Sequence, residues 1–362
     1  MADNYLEKQY EQYQARKAAW EREKKKRPAL KPSASAEAPY QEVRDIEDFI
    51  SLAQEKQLED RHRKELYTPS VLYDAYRVGQ PESYASCYDS RVYQYYLKKG
   101  KTTDDVRETL ARTLHDHAIT AAMNRFLFRY PERRIVGLMG GHGLSRTEKT
   151  YRQVVFICKR LTEAGCLMVS GGGPGAMEAT HLGAWMAGRT EEEVDEALAI
   201  LSEAPSYKDS LWLDTAFRVR ERFPQGAYES LGVPTWLYGH EPATPFATHI
   251  AKYFENALRE DGILTIAKGG IIYSPGSAGT LQEIFQEAVQ NHYLSFGYAS
   301  PMIFMGVGYW REEMPVYPLL EHLIQKGKYK NLLLTLTDSE DEIVETLESF
   351  ALARWEWESW KI

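Results

Sequence analysis

Residues 134–139 (RIVGLM) and 166–170 (CLMVS) are short apolar runs that break at once into glycines. Gly140-Gly141-His142-Gly143 follows the first run, and Gly171-Gly172-Gly173-Pro174-Gly175 follows the second. The first glycine loop leads into a helical run over 151–163, and the second opens another helix. A third junction of the same kind lies at 270–273 (GIIY), which runs into Ser274-Pro275-Gly276-Ser277-Ala278-Gly279 and a helix from Thr280. Strands alternating with helices of 10–15 residues predict a parallel, doubly wound α/β sheet. Working outward, 232–238 reads as a further strand with a helix after Thr248, and 301–305 and 332–336 read as two more. Thr190 with Glu193, and Ser339 with Glu342, have the spacing of helix-capping pairs.

The sheet pattern occupies residues 131–362 only. Before it, residues 41–130 read as helical and rich in tyrosine, and 1–40 as a polar helical tail and linker. In the tail, Leu6, Tyr10, Tyr13 and Trp20 share one helical face, which suits either a partner helix or a solvated one. The stretch 22–27 (REKKKR) is interrupted by Glu23 and reads as a solvated face, and 28–40 (PALKPSASAEAPY) as the linker. Thr103 is placed to cap a helix carrying Val106, Leu110 and Leu114. His115 and His117 flank Asp116 two residues apart, so they face different ways and read as core or surface histidines rather than metal ligands.

Composition narrows the function. A length of 362 residues leads one to expect two or three domains. Hydrophobic residues at 43% and charged ones at 27% exclude general disorder. The formal charge of −8 argues against a nucleic-acid polymer as partner, because phosphate polymers demand a basic surface. A small phosphorylated ligand needs only a local nest of donors. No apolar run reaches the roughly 18 residues of a membrane span, and the first residues lack a secretory signal's apolar stretch. Three cysteines (Cys87, Cys158, Cys166) are too few and scattered for a disulfide framework or zinc cage. A cytoplasmic protein without membrane partner is the expectation.

Three glycine loops at the carboxyl ends of strands point to a phosphate-bearing ligand. Glycine admits a phosphate close to the backbone, and the first helical N–H groups point at it. None of the loops is a Walker A sequence, and Gly140-Gly141-His142-Gly143 lacks the rest of the dinucleotide fingerprint. At this point the motifs are similar to those of a family. The segment 171–179 (GGGPGAMEA) resembles the GGGxxGLMG segment of the Lonely Guy (LOG) phosphoribohydrolases, and 275–283 (PGSAGTLQE) resembles their PGGxGTxxE segment. The resemblance covers roughly residues 131–350. It is nearer to the longer bacterial nucleotide 5′-monophosphate nucleosidases, which carry extra N-terminal sequence.

The resemblance implies a Rossmann-like fold and hydrolysis of the N-glycosidic bond of nucleoside 5′-monophosphates to free base and ribose 5-phosphate. No cofactor or metal is implied, and a homodimer or higher homo-oligomer is. It makes Glu283 the catalytic carboxylate, whereas spacing alone makes Thr280 to Glu283 a helix capping box. Glu287, one turn on, either shares the task or is solvated. Arg259 becomes the partner of Glu283, the alternative being a surface arginine paired with Asp261 or Glu255. Phosphate donors are expected from the backbones of Gly276, Ser277, Ala278 and Gly279 and from the Thr280 hydroxyl. Gly140, Gly141 and Ser145 in the first loop, and Gly172, Gly173 and Met177 in the second, complete the expected nucleotide site. Arg146 reads either as a phosphate ligand or as a surface residue.

The base site is open: Asn291, His292, Tyr293, Met177, Trp236 and Tyr238 are candidates. Trp355, Trp357 and Trp360 either stack on a base or dock the C-terminus. Two other function classes compete with the hydrolase. One is a nucleotide-binding sensor that does not turn over, which Ser277 in a glycine position and an arginine about one residue farther from Pro275 than usual favour. The other is a pyridoxal-phosphate decarboxylase, against which stands the lack of a suitable lysine in a strand-to-helix loop.

Overall fold

In the computed structural model, which describes residues 65–239 and 241–353, the apolar runs form one seven-stranded sheet. The readings of Leu6, Tyr10, Tyr13, Trp20 and the linker, and of Trp355, Trp357 and Trp360, lie outside the described residues. The strands are β1 (Ile135–Met139), β2 (Leu167–Ser170), β3 (Ser230–Gly232), β4 (His249–Ile250), β5 (Ile271–Tyr273), β6 (Pro301–Met305) and β7 (Leu333–Thr337). Their order is β4-β3-β2-β1-β5-β6-β7, and every neighbouring pair is parallel. The fold is therefore the expected α/β, Rossmann-like doubly wound sheet.

The helices of ten residues or more are α1 (Tyr88–Lys99), α2 (Val106–Leu127), α3 (Lys149–Glu163), α4 (Ala176–Trp185), α5 (Glu191–Leu201), α6 (Trp212–Arg222), α7 (Asn256–Ile266), α8 (Ala278–His292), α9 (Val316–Gln325) and α10 (Glu340–Leu352). Alternation along the strands sorts side chains between the two faces of the sheet. Val136, Leu138, Met168 and Ile272 pack with α3, α4, α5 and α10. Ile135, Met139, Val169 and Tyr273 pack on the other face, with α7, α8 and α9. Leu72, Tyr96, Ile119 and Met123 belong to that same core, so the segments preceding Pro131 share the core on this face of the sheet. Tyr67 also pairs with Ile250 through two backbone hydrogen bonds of 2.9 and 2.8 Å, covering the β4 edge.

Several local expectations need correction. Thr103 does not cap α2. Asp105 does, accepting from the N–H groups of Arg107 (3.1 Å) and Glu108 (3.4 Å). The run 232–238 is not one strand: β3 ends at Gly232, and Thr235 caps a single 3-10 turn over Trp236–Tyr238. The helix expected after Thr248 begins at Asn256, beyond the short strand β4. Thr190 and Glu193 do form a reciprocal capping box on α5, and Ser339 caps α10. Among the described residues no helix is long and apolar enough to cross a membrane.

Candidate functional site

Strand order decides where a site can form. The chain moves outward from β1 through β2, β3 and β4, then returns to β5 on the other side of β1. Helix α3, after β1, packs on one face, and α8, after β5, packs on the other. The winding thus reverses between β1 and β5, and the carboxyl ends of these strands form the topological switch point where such folds bind ligands.

The three glycine loops meet here. Gly141 donates its N–H to the Pro275 carbonyl at 3.0 Å, and its own carbonyl accepts from Ala176 N–H at 3.1 Å. Its amide is thus committed to holding the loops together and is no donor for a ligand. Gly175, at φ +70°, makes the left-handed turn into α4, and a Cβ there would strike the backbone of Gly141 and His142. Ser145 is likewise engaged within its loop, with Oγ 3.0 Å from Thr147 Oγ1 and its N–H on Glu148 Oε1 at 2.8 Å.

Helix α8 starts two residues before the T-x-x-E box. Ser277 is its N-cap residue and Leu281 N–H, bonded to the Ser277 carbonyl at 3.0 Å, opens the helical ladder. The backbone amides ahead of Leu281 are the ones a helix leaves without internal partners. They belong to the exposed turn Ser277, Ala278 and Gly279 and to buried Thr280. The Thr280 side chain lies against Gly276, which leaves no room for a Cβ there, so the hydroxyl closes the loop from inside. Tyr309, from the segment after β6, donates its hydroxyl to the Gly276 carbonyl at 2.5 Å.

With the helix starting earlier, Glu283 lies in its second turn. It is half-buried, and helical side chains in general lean back toward the N-terminus. Burial raises its pKa to about 7, Arg259 pulls it down and Glu260 pushes it up. Arg259 comes from the first turn of α7. Its Nε donates to the Val233 carbonyl at 3.0 Å, and its guanidinium lies so close to Gly171 that a side chain there would collide with it. The surface pairing with Asp261 or Glu255 does not occur: Asp261 accepts from Gln286 Nε2 (2.9 Å), and Glu255 from Ala257 N–H (3.3 Å). Glu260 receives Asn256 and Gln282 side-chain amides, both at 2.8 Å, tying α7 to α8.

Glu287 is buried rather than solvated. Ser300 Oγ donates to it at 2.6 Å, and burial raises its pKa to about 7 against the effect of that bond. The Tyr273 hydroxyl is buried without a hydrogen-bond partner, and both glutamates add to the burial that raises its pKa.

Arg146 is neither surface residue nor ligand. Its side chain is 1% exposed and forks onto Glu178, with Nε–Oε2 at 2.8 Å and Nη2–Oε1 at 2.6 Å. It also donates to the carbonyls of Ala204 and Trp212, both at 3.1 Å, and to Thr215 Oγ1 at 2.8 Å. Burial opposes its charge, but the Glu178 carboxylate holds the pKa above its ordinary value. This pair anchors the first loop to α4, directly after the second loop.

Among the proposed base contacts, Trp236 is buried and donates to Asp89 Oδ1 at 2.9 Å. Asn291 is buried as well, exchanging two hydrogen bonds with the Ser300 backbone. Neither can face a ligand. Met177 does remain at the glycine loops, its side chain against Gly171 and Gly173. Tyr238 is 43% and Tyr293 74% exposed, and His292 accepts from Lys330 N–H at 3.0 Å.

Sequence reasoning missed two features of the site. His181 stays neutral, burial pulling its pKa to about 3. Its Nε2 lies 2.8 Å from Ser170 Oγ and its Nδ1 2.9 Å from Ser230 Oγ, while Ser170 Oγ also accepts Gly172 N–H at 3.1 Å. It thereby fixes the base of the second loop. Glu241 approaches Gly173 from the loop before β4, with Oε1 3.8 Å from His142 Nε2. A lone histidine in an apolar helix hinted at the first, and no motif marked the second. Among the described residues no group of three or more potential ligands could hold a metal ion.

No family model and no curated protein matches the chain. Among solved structures, it is similar to a molybdenum cofactor binding protein from the phototrophic bacterium Rippkaea orientalis. That match has 14% identity and a TM-score of 0.38, and covers 59% of this chain and 95% of the other. A likeness this distant carries no argument about ligand or reaction.

Proposed function

We propose that the protein hydrolyses the N-glycosidic bond of nucleoside 5′-monophosphates, releasing free base and ribose 5-phosphate. The observation that carries this reading is Glu283, a carboxylate with a pKa near 7, placed one turn along α8 from Thr280 and influenced by Arg259. The resemblance of both glycine motifs to the LOG phosphoribohydrolases supports it. The phosphate is received by the unpaired backbone amides at the start of α8, where the helix dipole favours an anion. A turn rises about 5.4 Å, so the sugar of a phosphate bound there reaches Glu283.

As the C1′–N bond breaks, its electron pair leaves with the base and positive charge grows on C1′. The ionised Glu283 stabilises that charge, accepts a proton from the water whose oxygen bonds to C1′ and passes a proton on to the departing base, which restores the carboxylate. Arg259 holds the sugar or phosphate oxygens and keeps part of Glu283 ionised at neutral pH. No cofactor enters this scheme. The exposed apolar side chains of Val289 on α8 and of Tyr293 just after it support a homodimer or higher homo-oligomer.

The test is a panel of purine and pyrimidine monophosphates with matched nucleosides, scored for released base. Release from monophosphates, its absence from nucleosides and its loss in Glu283→Gln are expected. Wild-type silence on every monophosphate, or undiminished release by the variant, overturns the reading. Binding without turnover is the second reading. It is favoured by Ser277, exposed where the family pattern has glycine, and a nucleotide-induced thermal shift with no product selects it.

A further inference from the structure

Helix α2, before the sheet begins, reaches the start of the helix that carries Arg259. Asp116 is 1% exposed and accepts two backbone N–H groups there, Phe254 on Oδ1 at 3.0 Å and Glu255 on Oδ2 at 2.8 Å. His115 Nδ1 lies 2.8 Å from Oδ1, and its Nε2 lies 2.8 Å from the hydroxyl of Tyr67, whose backbone is paired with Ile250. Thr120 Oγ1 meets the Tyr253 hydroxyl at 3.1 Å. Glu255 is the N-cap of α7, and its carbonyl accepts Arg259 N–H at 3.4 Å.

Helix starts are ordinarily satisfied by their own cap or by water. Here the two amides leading into α7 are held by a buried carboxylate from another element, which fixes the entry to the helix in space, while Glu255 caps the helix itself. Arg259 is one turn from that anchor, and its guanidinium has little slack between the Val233 carbonyl and Gly171. We infer that Asp116 is a positioning residue: from α2 it sets the start of α7, and through α7 it sets the place of the Arg259 guanidinium, whose charge acts on Glu283. This gives the helices ahead of the sheet a part in the site. The consequence for activity rests on the proposed hydrolysis, whereas the consequence for α7 does not.

Asp116→Asn keeps the size but turns an amide donor toward one of the backbone N–H groups. Two readouts test it. Amide hydrogen exchange over 254–262 is expected to accelerate while α5 stays as protected as in wild type. In the base-release assay, kcat is expected to fall by about tenfold or more, since small misplacements of a catalytic group are costly, with KM changing far less. The acid limb of the pH profile is expected to move upward. Glu283 is faced by Arg259 and Glu260 from α7 and by Tyr273 from β5, and Arg259 is the group lowering its pKa. A displaced Arg259 therefore delays ionisation.

Val194→Ala in α5 destabilises the fold away from the site and is expected to move neither the exchange over 254–262 nor the limb. If Asp116→Asn does not fold, His115→Gln, which removes one support of Asp116, is expected to shift both readouts in the same direction by less. Unmoved exchange and limb in whichever variant folds, or shifts no larger than those of Val194→Ala, overturn the inference. If wild type releases no base, the functional reading fails, and hydrogen exchange alone decides the role of Asp116.

Discussion

Replacing Arg146 by methionine removes the charge that offsets Glu178 while keeping an unbranched side chain of similar reach. Glu178 is fully buried, and after the substitution the Tyr151 hydroxyl, at 2.9 Å, remains as a donor to it. Removing one partner of a buried ion pair costs about 3–5 kcal/mol, since the other charge is left in a poor solvent. For a domain of this size that is roughly 6–20 °C in melting temperature. The carbonyls of Ala204 and Trp212 also lose a donor.

Thermal and urea unfolding measure the loss, and two further variants locate its source. Arg146→Met combined with Glu178→Leu removes both charges and is expected to be less destabilised than Arg146→Met alone. The deficit of the single variant is also expected to be smaller at pH 5 than at pH 8, because an unpaired buried carboxyl takes up a proton as pH falls. A loss below about 1 kcal/mol, the scale of an exposed pair, would refute the reasoning. So would a double variant worse than the single one.

Glu287 has a folded pKa of about 7 against an ordinary 4.5, so between those values the folded state holds a proton that the unfolded state lacks. Its stabilising contribution is full below pH 4.5 and is lost as pH rises through 7, by about 3 kcal/mol in all. Glu287→Gln is therefore expected to lose less stability than wild type between pH 5 and pH 8, and equal pH slopes in the two proteins would sink the assignment. Base release should fall on the acid side of about pH 7 as Glu283 becomes protonated, and Arg259→Met should move that limb upward, as read from kcat against pH. Thr190→Ala, which breaks the capping box of α5, is expected to cost about 1 kcal/mol in urea unfolding without altering the pH profile.

What was legible in advance was local. A short apolar run followed by glycines reads as a strand entering a phosphate-type turn because both signals lie within ten residues. The capping box at Thr190 and Glu193 is visible for the same reason. The same locality misled at Thr280 and Glu283, where the spacing fits a capping box but the helix had already begun at Ala278. It misled again at Thr103, two residues ahead of the true cap. Helix α6 escaped notice although it supplies the Trp212 carbonyl and Thr215 to the Arg146 network.

The sequence by itself determined the class of the sheet and its glycine turns, and through a family resemblance it pointed to Glu283 and Arg259 as residues around which a reaction can be argued. Tertiary structure decided what those residues are worth. Strand order put the reversal between β1 and β5, and folding brought the three glycine loops together there. Burial set the pKa of Glu283 and made Glu287 a buried carboxyl. Arg146 finds Glu178 32 residues away, and Asp116 meets Phe254 across 138. Such partners leave no local trace in the chain, because a buried charge is satisfied by whatever folding brings within 3 Å of it.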